Sequence, residues 1–160
     1  MEPTRHRDLK ALAVFLGICL VVYAANGLVT AASVGGWYQA LEKPPFNPPD
    51  WLFGPIWTLL FVFMAVAGWR VWRSAPWPTT RPALVAWALQ LGLNFTWSCL
   101  FFGLQAIAAA LVEIIILLVA IITTMGLLWR HDRVAGLLFL PYIAWVGFAT
   151  VLNAALYTLN

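Results

Sequence analysis

Charge is what this sequence has least of. Only 9% of its 160 residues are Asp, Glu, Lys or Arg, whereas 63% are apolar and mean hydropathy is +0.87. Soluble domains carry about a quarter charged residues, so a water-soluble fold is excluded and the chain is read as an integral membrane protein. Cysteine is nearly missing as well. Cys19 and Cys99 stand far apart with no C-x-x-C spacing, which argues against a thiolate metal site and against a disulfide framework. No Ser-His-Asp, Cys-His or metal-ligand arrangement supports hydrolytic or metal chemistry. A net charge of +3 would hint at nucleic acid in a soluble protein. Here the basic residues have a simpler use in setting orientation, and no nucleic-acid partner is expected.

Long apolar runs are what the sequence does have. A membrane-spanning helix needs roughly 20 apolar residues, and such runs cover residues 9–32, 54–73, 82–102, 106–129 and 134–158. The expected fold is therefore all-α, an integral membrane bundle of five transmembrane helices forming one domain over residues 1–160. Pro55 and Pro82 suit first-turn positions, where a missing N–H costs nothing, and Thr79 or Thr80 can cap the third helix. Pro141 falls inside the fifth run, so a kink or accommodation by neighbours is expected there. The first run is longer than the core of about 7 to 15 residues in a signal peptide and is read as a span.

Basic residues are distributed unevenly over the connections. Arg5, Arg7, Lys10, Arg70, Arg73, Arg81, Arg130 and Arg133 fall on one side, and Lys43 alone on the other. The positive-inside rule then places the N-terminus inside, at the cytoplasmic face of a bacterial membrane, and the C-terminus outside.

The one long connection, residues 33–53, combines Pro44, Pro45, Pro48 and Pro49 with Trp37, Tyr38, Phe46 and Trp51. Proline fixes φ and lowers the entropy of the free loop, so this segment is expected to be ordered without much secondary structure. It serves either as an interfacial aromatic belt or as a lid over a site between helices. Depth favours the lid. At 1.5 Å rise per residue, Asn26, Asn94, Glu113 and Asn153 all fall in one layer, on the order of 10 Å below the outer surface. Trp57 and Trp97 enter the same layer. Such groups are costly in a bilayer and face the bundle interior; individually each can also serve as interhelical hydrogen-bonding glue. Deeper, Trp145 with Tyr142 three residues earlier on the same helical face can join Trp57, Phe101 and Phe102 around a cavity for a flat, mostly apolar molecule. On the third helix, Ala88, Gly92 and Thr96 place small residues every fourth position, a pattern that permits a homodimer through close helix approach.

These residues resemble a known family. Trp37-Tyr38, Leu41, Lys43-Pro44, Asn47-Pro48-Pro49, Trp51, Phe53, Pro55 and Trp57-Thr58 are similar to the loop signature of the translocator protein (TspO/MBR) family. The likeness continues through Gln90, Asn94, Trp97 and Phe101-Phe102-Gly103, then through Pro141-Tyr142, Trp145, Ala149-Thr150 and Leu152-Asn153. It implies a five-helix receptor, sensor or carrier that binds tetrapyrroles such as protoporphyrin IX, and aromatic drug-like molecules, beneath the first loop. Porphyrin would be a ligand, with no cofactor required. The family's pocket positions fall on Tyr38, Trp57, Asn94, Trp145 and Ala149, with Phe61, Tyr142 and Leu152 nearby. Phe61 stands where members commonly have tyrosine, and no Lys or Arg follows Tyr157, so the proposed sterol motif is incomplete and strong sterol binding is not expected.

Two further functions are implied or permitted. Trp57 and Trp145 look like the family's tryptophans linked to light-dependent porphyrin degradation, which would make them catalytic if that activity operates. Glu113, where members often have Asp, can instead serve a proton-coupled transporter. His6 and His131 are expected at the inner surface, where neither can ligate iron in an outer-layer pocket.

Overall fold

The computed structural model describes the backbone of residues 2–160 and the side chains of residues 6–160. Met1 and the side chain of Arg5, counted above among the basic residues, lie outside that set. The chain is all-α, with no strand among the described residues. Five helical stretches are long and apolar enough to cross a bilayer, namely His6–Val34, Asp50–Ser74, Trp77–Gly103, Ile107–His131 and Arg133–Leu159.

Helix α1 (Glu2–Val34) runs without a break until Gly35-Gly36. Its end is tied to the third span by a hydrogen bond from the Ser33 hydroxyl to the Phe102 carbonyl. The lid begins with a single turn of helix, α2 (Trp37–Ala40), and ends in a 3₁₀ turn, Asp50–Leu52. Between them the chain is mostly extended, as its prolines require. Helix α3 (Phe53–Ser74) follows directly, with Pro55 in its first turn as expected.

The third span departs from expectation at its start. Helix α4 (Trp77–Ser98) begins several residues early, so Pro78 takes the first-turn position and Pro82 lies inside the helix. Pro76 precedes it with no side-chain cap, and neither Thr79 nor Thr80 plays that part. An internal proline so near the N-terminus removes only one intrahelical bond. The span closes in a widened π-type turn, Cys99–Gly103, with Leu104 N–H donating to the Cys99 carbonyl at 2.8 Å. Gln105 adopts a positive φ of 55° and turns the chain sharply into α5 (Ile107–His131).

The fifth span is broken rather than kinked. Asp132 caps α6 (Arg133–Leu137) by accepting from Ala135 N–H at 3.0 Å, and α7 (Leu140–Leu159) starts afresh with Pro141 in its first turn. Pro141 cannot donate to the Leu137 carbonyl, so a new helix start satisfies the chain better than a continuous rod.

Helix α4 packs along α5, α1 along α3, and α5 along α7. Met64, Ile121, Leu128 and Tyr142 are completely buried at their junctions. The tightest approach is at Gly68, where an added Cβ would stand 2.9 Å from both the Phe15 and Trp87 rings. At the basic end, Arg70 pairs with Asp132 at 2.8 Å and Arg73 with Asp8 at 3.7 Å. Burial by itself would raise the Asp132 carboxyl. The Arg70 hydrogen bond and charge, with the Ala135 and Val134 N–H groups, outweigh that and hold it below its ordinary value.

Candidate functional site

A cavity of about 340 Å³ lies under the lid, among α1, α3, α4 and α7. Its volume falls in the range of small-molecule sites, about 300 to 1,000 Å³. Helix α1 contributes Tyr23, Asn26, Gly27, Thr30, Ala31 and Val34, which share one face through steps of three and one. Helix α3 supplies Phe53, Gly54, Trp57 and Phe61; α7 supplies Trp145, Ala149, Leu152, Asn153 and Leu156. The end of α4 and its π-type turn add Trp97, Ser98, Phe101 and Phe102, and the lid adds Tyr38 and Asp50.

Aromatic rings make most of the wall. Trp97 stacks on Phe101 at 5.2 Å, and Phe61 is met by Tyr23 at 5.5 Å and by Trp57 at 6.0 Å. Phe53 meets Trp145 edge-on at 5.7 Å. The rings therefore brace one another and present their faces as fixed surfaces. The π-type turn carries Phe101 and Phe102 into contact at 4.9 Å, a local widening of the helix of a kind frequent at functional sites.

Polar groups are few and mostly engaged. Trp97 Nε1 donates to Asn153 Oδ1 at 3.2 Å, and Asn153 Nδ2 donates to the Ile107 carbonyl at 3.1 Å. Asn26 Nδ2 donates to Asn94 Oδ1 at 2.7 Å, and Asn94 Nδ2 donates to the Tyr142 hydroxyl at 3.0 Å. Asn26 Oδ1 has no hydrogen-bond partner among the described residues.

The lid is held by its own bonds. The Tyr38 hydroxyl donates to Asn47 Oδ1 at 3.0 Å, and Gln39 Nε2 to Asp50 Oδ2 at 2.7 Å. Lys43 lies 4.9 Å from the Tyr38 ring centre, with Nζ 3.2 Å from the Gln39 carbonyl. Asn160 exchanges two bonds with the Glu42 backbone, at 3.0 and 3.1 Å, and so ties the lid to the end of α7. Burial pushes the Tyr38 phenol above its ordinary value; the Asp50 carboxylate adds to that push and the Asn47 bond opposes it.

Gly27, Ala31 and Gly54 line the cavity and are exposed, and an added Cβ at Gly27 or Gly54 would meet nothing within 4 Å. Helices α1 and α3 approach closely at Gly68 and meet again nearer the lid, where the Thr58 and Tyr23 hydroxyls are hydrogen-bonded at 3.1 Å.

Most of the residues singled out in the sequence converge on this cavity. Tyr38, Trp57, Phe61, Phe101, Trp145, Ala149, Leu152, Asn26 and Asn153 all line it. Asn94 and Tyr142 do not: they are 1% and 0% exposed and stand behind Asn26. Glu113 shares the depth of the polar layer but faces elsewhere, buried, with neither carboxyl oxygen partnered among the described residues. In the lid, Trp37 packs on Phe101 at 5.5 Å and Pro44 and Pro48 are buried, whereas Pro49 and Trp51 point outward and none of the five lines the cavity. His6 and His131 belong to helix ends at the basic face, away from the lid. Apart from Asn26, the α1 face was not anticipated, nor was Asp50, although the steps of three and one from Tyr23 to Val34 carry that face in the sequence.

An aromatic-walled cavity inside a five-span helical bundle, roofed by a braced loop, defines an integral membrane protein of the receptor or sensor class. The TspO/MBR family profile matches residues 15–158. The chain is 45% identical to the tryptophan-rich protein TspO of Archaeoglobus fulgidus over 152 residues, 95% of this chain and 97% of that one. It is 38% identical to the tryptophan-rich sensory protein of Cereibacter sphaeroides over 124 residues, 78% of this chain and 77% of the other. With the human translocator protein it shares 34% identity over 127 residues, covering 78% and 75% of the two chains. This chain belongs to the TspO/MBR family.

Proposed function

We propose that the protein is a membrane receptor or sensor, able also to act as a carrier, for planar aromatic molecules of the tetrapyrrole class, with protoporphyrin IX as its test ligand. The observation that carries this reading is the wall itself, with Trp57, Trp97 and Trp145 in one cavity whose other surfaces are almost wholly apolar. Flat rings gain most from braced aromatic faces, and a few placed polar groups orient them. Relatives named as a sensory protein and as a translocator agree with such a role. The positions of the basic residues support an N-terminus on the inner side of the membrane.

The test is tryptophan quenching of the full chain by protoporphyrin IX in detergent or proteoliposomes. Saturable quenching at micromolar ligand, weakened at least tenfold by Trp57→Ala with Trp145→Ala, supports the reading, and no saturable quenching removes it. Because Trp57 and Trp145 share the cavity, light-driven oxidation of bound porphyrin is the second reading. It predicts that illumination bleaches porphyrin more slowly in the Trp57→Phe, Trp145→Phe double variant. A homodimer through α4 is supported by Ala88, Gly92 and Thr96, which are all exposed. Crosslinking in bilayers that gave monomer alone would remove it.

A further inference from the structure

We infer that Asp50 sets the charge preference of the cavity, so that uncharged forms of a ligand ring are favoured over forms carrying carboxylates. This rests on the reading that the cavity holds a tetrapyrrole, and deepens it. Asp50 is the one charged residue in the lining; no Lys or Arg among the described residues takes part. Its carboxylate accepts from Gln39 Nε2 at 2.7 Å, an uncharged donor, and it forms no ion pair with any described residue. The nearest cation in sequence, Lys43, lies against Tyr38 with its ammonium on the Gln39 carbonyl, outside the lining. Lys43 and Asp50 both lie against Tyr38 but form no ion pair, so the lining itself carries a net negative charge.

The wall beneath points the same way. The aromatic faces carry negative quadrupole density as well. Apart from Asp50 the polar groups of the lining are uncharged, so no cation among the described residues stands there to receive a carboxylate. Two ligand carboxylates within about 8 Å of Asp50, at an effective dielectric between water and protein surface, cost on the order of tenfold in affinity.

The experiment is a cycle of ligand charge against residue charge on the full chain. Protoporphyrin IX and its dimethyl ester are titrated by tryptophan quenching against the wild type, Asp50→Asn and Glu42→Gln. Taking variant-to-wild-type ratios for each ligand cancels their different partition into detergent or lipid. Asp50→Asn is expected to tighten the free acid about tenfold and to leave the ester within twofold. Glu42→Gln, a lid charge outside the lining, is expected to shift the free acid far less. The Asp50 effect should shrink at 1 M salt, where the screening length is about 3 Å. Equal ratios for both ligands with Asp50→Asn, or equal effects of the two variants, would overturn the inference while leaving porphyrin binding intact. Failure of both ligands to quench would remove the proposed function, and this inference with it.

Discussion

Replacing Asn94 by alanine should weaken ligand binding only through Asn26. Asn94 is fully enclosed and does not line the cavity, yet it receives Asn26 Nδ2 at 2.7 Å and donates to Tyr142 at 3.0 Å. Interhelical hydrogen bonds in membrane proteins contribute about 0.6 kcal/mol on average and up to about 1.7. Loss of both bonds, with the small void left behind, should cost about 2 kcal/mol in unfolding. Untethered, Asn26 loses its fixed rotamer, and protoporphyrin IX affinity should fall about threefold to tenfold, or about 0.6 to 1.4 kcal/mol. Asn26→Ala should produce the same loss. The deciding measurement is the double variant: Asn94→Ala should cost no further affinity in an Asn26→Ala background. Tyr142→Phe should lower stability by about 0.6 kcal/mol and leave affinity unchanged, since the Asn26–Asn94 bond survives. Additive affinity losses for Asn26→Ala and Asn94→Ala, read by tryptophan quenching, would refute the reasoning and return Asn94 to direct ligand contact.

Three further outcomes follow from other parts of the bundle. Gly68→Ala puts a Cβ 2.9 Å from the Phe15 and Trp87 rings, the latter pinned by its 2.8 Å bond to the Met64 carbonyl. It should cost about 1 to 3 kcal/mol, whereas Gly92→Ala meets nothing within 4 Å and should be neutral or stabilising; equal melting temperatures would contradict this. Asp132→Ala removes the α6 cap and the Arg70 partner, so unfolding at pH 7 should become easier by about 1 kcal/mol. Because the Asp132 carboxyl is held below its ordinary value of 3.8, its contribution is complete above that pH and is lost as pH falls through the lower folded value. The variant should therefore lack that part of the wild type's acid destabilisation, and parallel pH profiles would count against the pair. Gly54→Ala adds a Cβ to the cavity lining where nothing stands within 4 Å, so the fold should be kept. Its melting temperature should stay within a few degrees of the wild type's, and a large drop would contradict that open space.

What the sequence determined by itself was whatever depends on composition along one dimension. The shortage of charge required a bilayer, the lengths of the apolar runs required five helices, and the proline cluster required a stiff connection, because the cost of burying charge and unpaired backbone admits few alternatives. The aromatic members of the cavity were legible for the same reason, with Trp145 too deep for an interfacial belt. Depth, however, is one coordinate. Asn26, Asn94, Glu113 and Asn153 share a layer, yet only Asn26 and Asn153 face the cavity. Which way each points depends on the rotation of its helix about its own axis, and that is fixed by contacts between helices, such as the close approach at Gly68. Only the tertiary structure could place Asp50 in the lining and break the fifth span before Pro141. These depend on how side chains from distant segments fill one space, a packing problem in which single-residue propensities carry little weight.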